Sequence, residues 1–303
     1  MALLALLTTV FVASLAHARI ENLVTFGDSY TDEGRAPYFL SHRTAPPLGQ
    51  TLPPSNSTYS GGIVWGRFVA QLTGARLYDY AVGGAMCSNS YDPRRLDAID
   101  GPFPDVREYE LSAFEQDLKF PELYPQRNVD NTVYALWIGT NDLGIYGFLG
   151  DMERPGATIT DYLGCIWDVF DRIYTAGGRR FVLMNNIPLE LAPMYASPGR
   201  YGRGNNRFLA NPWFYNTTEF KEKMRQYVTT ANTLQDYGVP RFLQAERRWP
   251  GASFAIYNVH DLFLDVINDP RAYLESPAIV RSPYRNTLFG IVDSHLPKSS
   301  FLW

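Results

Sequence analysis

A chain of 303 residues with 46% hydrophobic and 19% charged side chains has the apolar content to fold around a sizeable core and lacks the bias of a disordered one. Its net charge of −4, with PGRYGRGNNRF as the one basic stretch, speaks against nucleic acid as a partner. The two cysteines, Cys87 and Cys165, are too few for a disulfide scaffold and match no zinc spacing, so a single bond between them stays open.

The chain opens on MALLALLTTVFVASLAHA, an uncharged apolar run ending in the small-x-small triplet Ala16-His17-Ala18. This predicts a signal peptide over residues 1–18, although the usual basic residue near the start is missing. The run is shorter than the roughly 20 residues a membrane span requires. Two sequons, NST at Asn56 and NTT at Asn216, predict N-glycans. Leader and sequons together predict a secreted, extracellular protein with no membrane attachment after cleavage.

After the leader, Leu23 to Phe26 is an apolar run broken at Gly27, which predicts a buried strand and a turn. The segment 35–60, with Pro37, Pro46, Pro47, Pro53 and Pro54, predicts a surface loop. IVWGRFVAQLTG predicts a helix stopped by Gly74. ARLYDYAVGG, NTVYALWIGTND and RRFVLMNNIPL predict further strands. A long amphipathic helix, TTEFKEKMRQYVTTANTLQDYG, precedes a fifth strand in SFAIYNVHDLF. Strands alternating with helices predict one domain over 19–303, a mostly parallel five-stranded sheet in an α/β/α sandwich. Functional residues of such sheets gather at the carboxyl ends of the strands.

Three strand ends carry suitable chemistry. Gly27-Asp28-Ser29 places a serine just past a strand at the expected start of a helix, its own N–H available to an oxyanion. Val82-Gly83-Gly84-Ala85 lets backbone approach a ligand. Gly139-Thr140-Asn141-Asp142 adds a side-chain amide. Singly each is as readily a turn or a cap. Jointly they supply a nucleophile and the donors that an acyl-transfer oxyanion needs.

These residues, in this order, resemble the Ser, Gly and Asn blocks of the GDSL, or SGNH, hydrolase superfamily. FGDSYTDEG, YAVGGAMCSN, FPDVREYELSAF, YALWIGTNDLG and GGRRFVLMNNIPLELAPMYA look more closely like fungal secreted acetylesterases of carbohydrate esterase family sixteen. The resemblance implies a flavodoxin-like three-layer fold and a secreted esterase that removes acetyl groups from plant-wall carbohydrate without a metal or other cofactor. Its substrate is an acetylated carbohydrate or another small acyl ester. It also implies that Ser29 is the nucleophile and that Gly84, or Gly83 beside it, and Asn141 are oxyanion donors. Asp28 fixes the turn rather than acting as a base. The many aromatics, 20 of them tyrosine, line a sugar groove or, more simply, pack the core and its rim.

The fourth family block, Asp-x-x-His-Pro, is absent. Of the four histidines, His17 falls in the leader, His42 in the proline-rich segment and His260 just after the fifth strand. None has an aspartate three places before it. His295, in Val292-Asp293-Ser294-His295-Leu296-Pro297, pairs with Asp293 at a spacing one residue short, and residues two apart in an extended segment face the same way. Pro297 to Trp303 resembles the stretch that precedes the family block. Two expectations follow: a C-terminally truncated esterase without its base or closing helix, or a working one in which Asp293 and His295 take the role. A catalytically impaired carbohydrate-binding relative is the rival from another class. A lipase is disfavoured because no apolar, lid-like segment flanks the blocks.

Overall fold

The computed structural model describes residues 19–195, 216–286, 291–292 and 295–303. The predicted leader, the basic stretch and Asp293 lie outside the described residues. Five strands form one parallel sheet: β1 (Asn22–Gly27), β2 (Arg76–Asp79), β3 (Thr132–Trp137), β4 (Arg180–Met184) and β5 (Ser253–Tyr257). Their order across the sheet is β2-β1-β3-β4-β5. Asn22 pairs with Arg76 on one side and Thr132 on the other, and Arg180 pairs with Ser253 at the far edge. The chain therefore steps outward from β1 to β2 and then returns to the opposite side of β1. That reversal opens a crevice at the carboxyl ends of β1 and β3, where ligands of such sheets bind.

Helices cover both faces. Every residue of β1 is buried, as expected of a strand sandwiched in a parallel sheet. On one face Val24, Phe26, Tyr134, Leu136, Phe181 and Leu183 pack against α3 (Leu111–Asp117), α4 (Ile159–Thr175) and α5 (Thr217–Pro240), counting helices in chain order. On the other, Leu23, Leu77 and Ala135 meet Ala70 of α2 (Trp65–Thr73). This is the predicted three-layer α/β/α architecture. Phe254 and Ile256 of β5 pack on the larger core, while Ser253, Ala255 and Tyr257 alternate onto the other face and are exposed. Tyr78, Tyr80, Tyr91, Tyr124, Tyr134 and Tyr162 are buried in the core, so the simpler reading of the aromatic content holds for them.

Two local expectations are corrected. Residues 35–60 are not all loop, because Arg35–His42 forms helix α1 and buries Arg35, Ala36 and Phe39. Pro37 is tolerated because it sits in the first turn, where its missing N–H has no intrahelical partner. The buried carboxylate of Asp32 accepts the N–H groups of Gly34, Arg35 and Ala36 and so satisfies that turn. For the same reason Ser29 does not open a helix. It lies in a turn where the Asp28 carbonyl accepts from Thr31 and Asp32, both at 2.9 Å.

Candidate active site

β1 ends at Gly27 with φ of +143°, and a Cβ there would fall 2.1 Å from the Trp137 carbonyl oxygen. Only glycine lets β1 lie this close to β3 and turn at once. Asp28, fully buried, accepts the Tyr30 N–H at 3.0 Å. Burial, reinforced by the nearby Asp142 and Asp32 carboxylates and only partly offset by the Tyr30 N–H, pushes its carboxyl up to about 8. It is therefore protonated at neutral pH, which suits a turn-fixing residue. Tyr30 stacks on Trp137 with ring centroids 4.8 Å apart, pinning the turn to β3. Ser29 is half-buried, and among the described residues its hydroxyl has no hydrogen-bond partner.

The glycine loop continues the register of β2 against β1. Tyr80 N–H donates to the Thr25 carbonyl and Val82 N–H to the Gly27 carbonyl, at 2.9 and 3.1 Å. Gly83 N–H donates to Asp32 Oδ2 at 2.7 Å, and Ala85 N–H to the Val82 carbonyl at 2.8 Å. Gly84 has φ of +92°, with the Phe103 ring 2.9 Å from where a Cβ would sit, and its carbonyl accepts from Arg94 Nη1 at 2.6 Å. Among the described residues no acceptor takes the N–H of Gly84 or of Ser29. The N–H groups of Gly27, Tyr30, Thr31, Asp32, Val82, Gly83 and Ala85 are all engaged. Of the two glycines left open by the sequence, Gly83 has its N–H occupied and Gly84 does not.

Asn141 joins the blocks. Its side-chain nitrogen donates to the Ala85 carbonyl at 2.8 Å and reaches Asp28 Oδ2 at 3.5 Å. Next to it, buried Asp142 accepts from the Cys87 N–H at 2.8 Å and from the Tyr91 hydroxyl, and burial pushes its carboxyl up to about 6. Cys87 and Cys165 form a disulfide, with Cα atoms 6.1 Å apart, that ties the loop to α4. The Ser, Gly and Asn blocks are thus brought together at the crevice.

No histidine among the described residues is hydrogen-bonded to Ser29, Gly84 or Asn141. His42 ends α1 and stacks on Tyr38 at 4.0 Å. His260 is the second residue of α6 (Val259–Asn268), its N–H on Asn185 Oδ1 at 3.0 Å and its Nδ1 3.2 Å from Asp261 Oδ1. His295 is exposed and makes no hydrogen bond to Ser29. Lys298, three residues on, donates to the Gly61 carbonyl. Tyr59, two residues before Gly61, lays its ring against Gly83. Among the described residues no group of three His, Cys, Asp or Glu is arranged to hold a metal ion.

Sequence reasoning missed three supporting side chains. Asp32 lies four residues after Asp28, within the first block itself. Glu110 lies in FPDVREYELSAF, a stretch carrying the resemblance but no assigned role. Arg94 anchors the Gly84 carbonyl. Their signal in the sequence is weak, because a buried carboxylate reads like any surface acid until its backbone partners are seen.

Residues 23–248 match the family model of GDSL-like lipases and acylhydrolases. The chain belongs to the GDSL-like lipase/acylhydrolase family. It is 44% identical over 290 residues to an acetylesterase of Hypocrea jecorina, covering 92% of this chain and 83% of that one. It is 31% identical over 179 residues to an acetylesterase of Thermothelomyces thermophilus, covering 56% of this chain and 55% of that one. Among solved structures, a catalytic mutant of an acetylxylan esterase from Geobacillus stearothermophilus aligns with 87% of this chain and 89% of its own at TM-score 0.41 and 15% identity. As a GDSL-like acylhydrolase the chain is a carboxylic ester hydrolase. No helix among the described residues is long and apolar enough to cross a membrane.

Proposed function

We propose that this GDSL-like acylhydrolase is a secreted serine esterase that removes acetyl or other short acyl groups from carbohydrates through an acyl-enzyme on Ser29. The observation that carries the reading is the pair of backbone N–H groups, Ser29 and Gly84, that no described acceptor takes, while those of Gly27, Tyr30, Gly83 and Ala85 are engaged. In the first step Ser29 Oγ bonds to the acyl carbon, and the carbonyl π electrons move onto oxygen. The oxyanion accepts from Ser29 N–H, Gly84 N–H and the Asn141 amide. The 2.8 Å bond to Ala85 holds the amide's plane, and the 3.5 Å contact with Asp28 is the one the oxyanion displaces. Collapse expels the sugar oxygen, which takes up a proton. Water then cleaves the acyl-serine in the same geometry and releases the acid.

The serine proton needs a base, and we assign it to His295, oriented by Asp293. The substrate class is supported by the two acetylesterase relatives. Secretion is supported by the leader, by the Cys87–Cys165 disulfide, which oxidising compartments favour, and by the exposed sequon residues Asn56 and Asn216. Hydrolysis of a chromogenic acetate tests the reading. Turnover is expected to disappear in Ser29→Ala and in His295→Ala, and a His295→Ala variant with an unchanged rate removes that histidine from the mechanism.

One observation favours a second reading. The Ser29 hydroxyl meets no imidazole among the described residues, which fits a carbohydrate-binding relative with impaired catalysis. That protein binds acetylated oligosaccharide without releasing acetate, so any Ser29-dependent turnover excludes it.

A further inference from the structure

The carboxyl group of Glu110 is fully buried, and its two oxygens go to different blocks of the site. Oε2 accepts the Gly27 N–H at 2.9 Å, two residues before Ser29. Oε1 accepts the Val82 N–H at 3.1 Å, two residues before Gly84. β2 has already ended at Asp79, so the Gly27 N–H turns to a side chain where a longer β2 would have supplied a carbonyl.

The turn bearing Glu110 grips the same loop from its far side. Residues Val106–Glu110 form a single π-helical turn, a widened geometry that recurs at functional sites. Asp105 caps it by accepting from Glu108 and Tyr109, and its Val106 and Arg107 N–H groups donate to the Met86 and Cys87 carbonyls at 3.0 Å. The loop from Val82 to Cys87 is therefore held at its start by the Glu110 carboxyl and at its end by the Glu110 backbone turn.

We propose that Glu110 is a positioning residue that keeps the Ser29 turn and the Gly84 N–H in register for attack and oxyanion binding. The proposal rests on the reading of Ser29 and Gly84 given above. The carboxyl satisfies one buried N–H from each block, so the bonds that stabilise the two turns also set their spacing. Burial pushes this carboxyl well above its ordinary range even with both N–H groups pulling the other way. Asp32, which holds Gly83, works beside it.

Three variants test the proposal. Glu110→Gln keeps length and volume but turns an NH2 group against one of the two N–H donors. Its kcat on a chromogenic acetate is expected to fall about 10- to 100-fold at constant KM, the scale of a small misplacement of reacting groups. Glu110→Asp, too short to reach both donors, falls similarly and serves if the glutamine variant does not fold. Asn131→Ala is the control for general destabilisation, because it removes side-chain bonds at the amino end of β3, the end of the strands opposite the site. It lowers Tm and leaves kcat unchanged.

Hydrogen–deuterium exchange adds a readout independent of turnover. Uptake over residues 79–88 rises in the Glu110 variants and not in Asn131→Ala. Wild-type kcat in Glu110→Gln, a kcat loss that Asn131→Ala reproduces, or unchanged exchange over 79–88 overturns the positioning role. A Ser29→Ala variant with full turnover overturns the site itself, whereas an inactive Ser29→Ala beside a fully active Glu110→Gln overturns only the role of Glu110.

Discussion

The side-chain amide of Asn141 donates to the Ala85 carbonyl at 2.8 Å, which makes the tips of β2 and β3 one constellation instead of two separate turns. The bond orients an amide that otherwise rotates freely, so its remaining N–H points towards Asp28 and the Ser29 turn. Removing one such oxyanion donor costs on the order of 100- to 1,000-fold in kcat. Asn141→Ala is therefore expected to lose that much with little change in KM, measured by steady-state hydrolysis of an acetate ester. A variant that loses affinity instead of rate contradicts the assignment.

Gly84 is constrained twice, by φ of +92° and by the Phe103 ring 2.9 Å from the position of a Cβ. Gly84→Ala is expected to lower both kcat and stability, the latter by about 1–3 kcal/mol from backbone strain and overpacking. Thermal melting and kinetics on the same preparation check both effects. A stable, active alanine variant would move the donor elsewhere.

Much of the fold is legible in the sequence. The apolar run ending at Gly27, the doubled glycine after β2 and the Asn141 turn after β3 fixed the sheet and the strand ends that matter, because parallel strands and their breakers leave strong local patterns. Helix α1 was hidden by Pro37, whose first-turn position depends on Asp32 bonding across to the helix start and to Gly83. Glu110 was hidden because its partners lie 83 and 28 residues away in the chain. Periodicity reports which face a residue occupies and says nothing about which backbone donors a buried acid meets.

Buried acids set the pH response of the fold. Asp28 and Asp79 are pushed up to about 8 and Asp142 to about 6, in each case chiefly by burial. The unfolded carboxyls release their protons near 4, so between about pH 4 and 8 the native state holds more protons than the unfolded one. Stability from these groups is fully present below pH 4 and is lost as pH rises through 6 to 8. Tm is expected to be several degrees higher at pH 5 than at pH 8, by calorimetry at constant ionic strength. A Tm that climbs across this interval would show that the acids are ionised in the native state.

Asp28 also links pH to rate. Loss of its proton near pH 8 places a negative charge beside the Asn141 amide, where the reaction develops negative charge on oxygen. kcat is expected to fall between pH 7 and 9, and Asp28→Asn, neutral and isosteric, to flatten that limb. An identical alkaline limb in the asparagine variant assigns the loss to another group.

The Cys87–Cys165 bond closes a loop of 78 residues and anchors the segment that follows Gly84. Chain entropy alone makes such a link worth about 4.5 kcal/mol. Its reduction, or the double change Cys87→Ala with Cys165→Ala, is expected to lower Tm by on the order of 10 °C. Comparable melting of oxidised and reduced protein would contradict the estimate.

The central claim is that Ser29 becomes acylated in a hole built from its own N–H, Gly84 and Asn141. Intact-mass spectrometry after rapid acid quench of a chromogenic acetate reaction tests it most directly. A covalent acetyl adduct that maps to Ser29 is expected, absent in Ser29→Ala and depleted in Asn141→Ala. Turnover with no adduct on Ser29, persisting in Ser29→Ala, would contradict it.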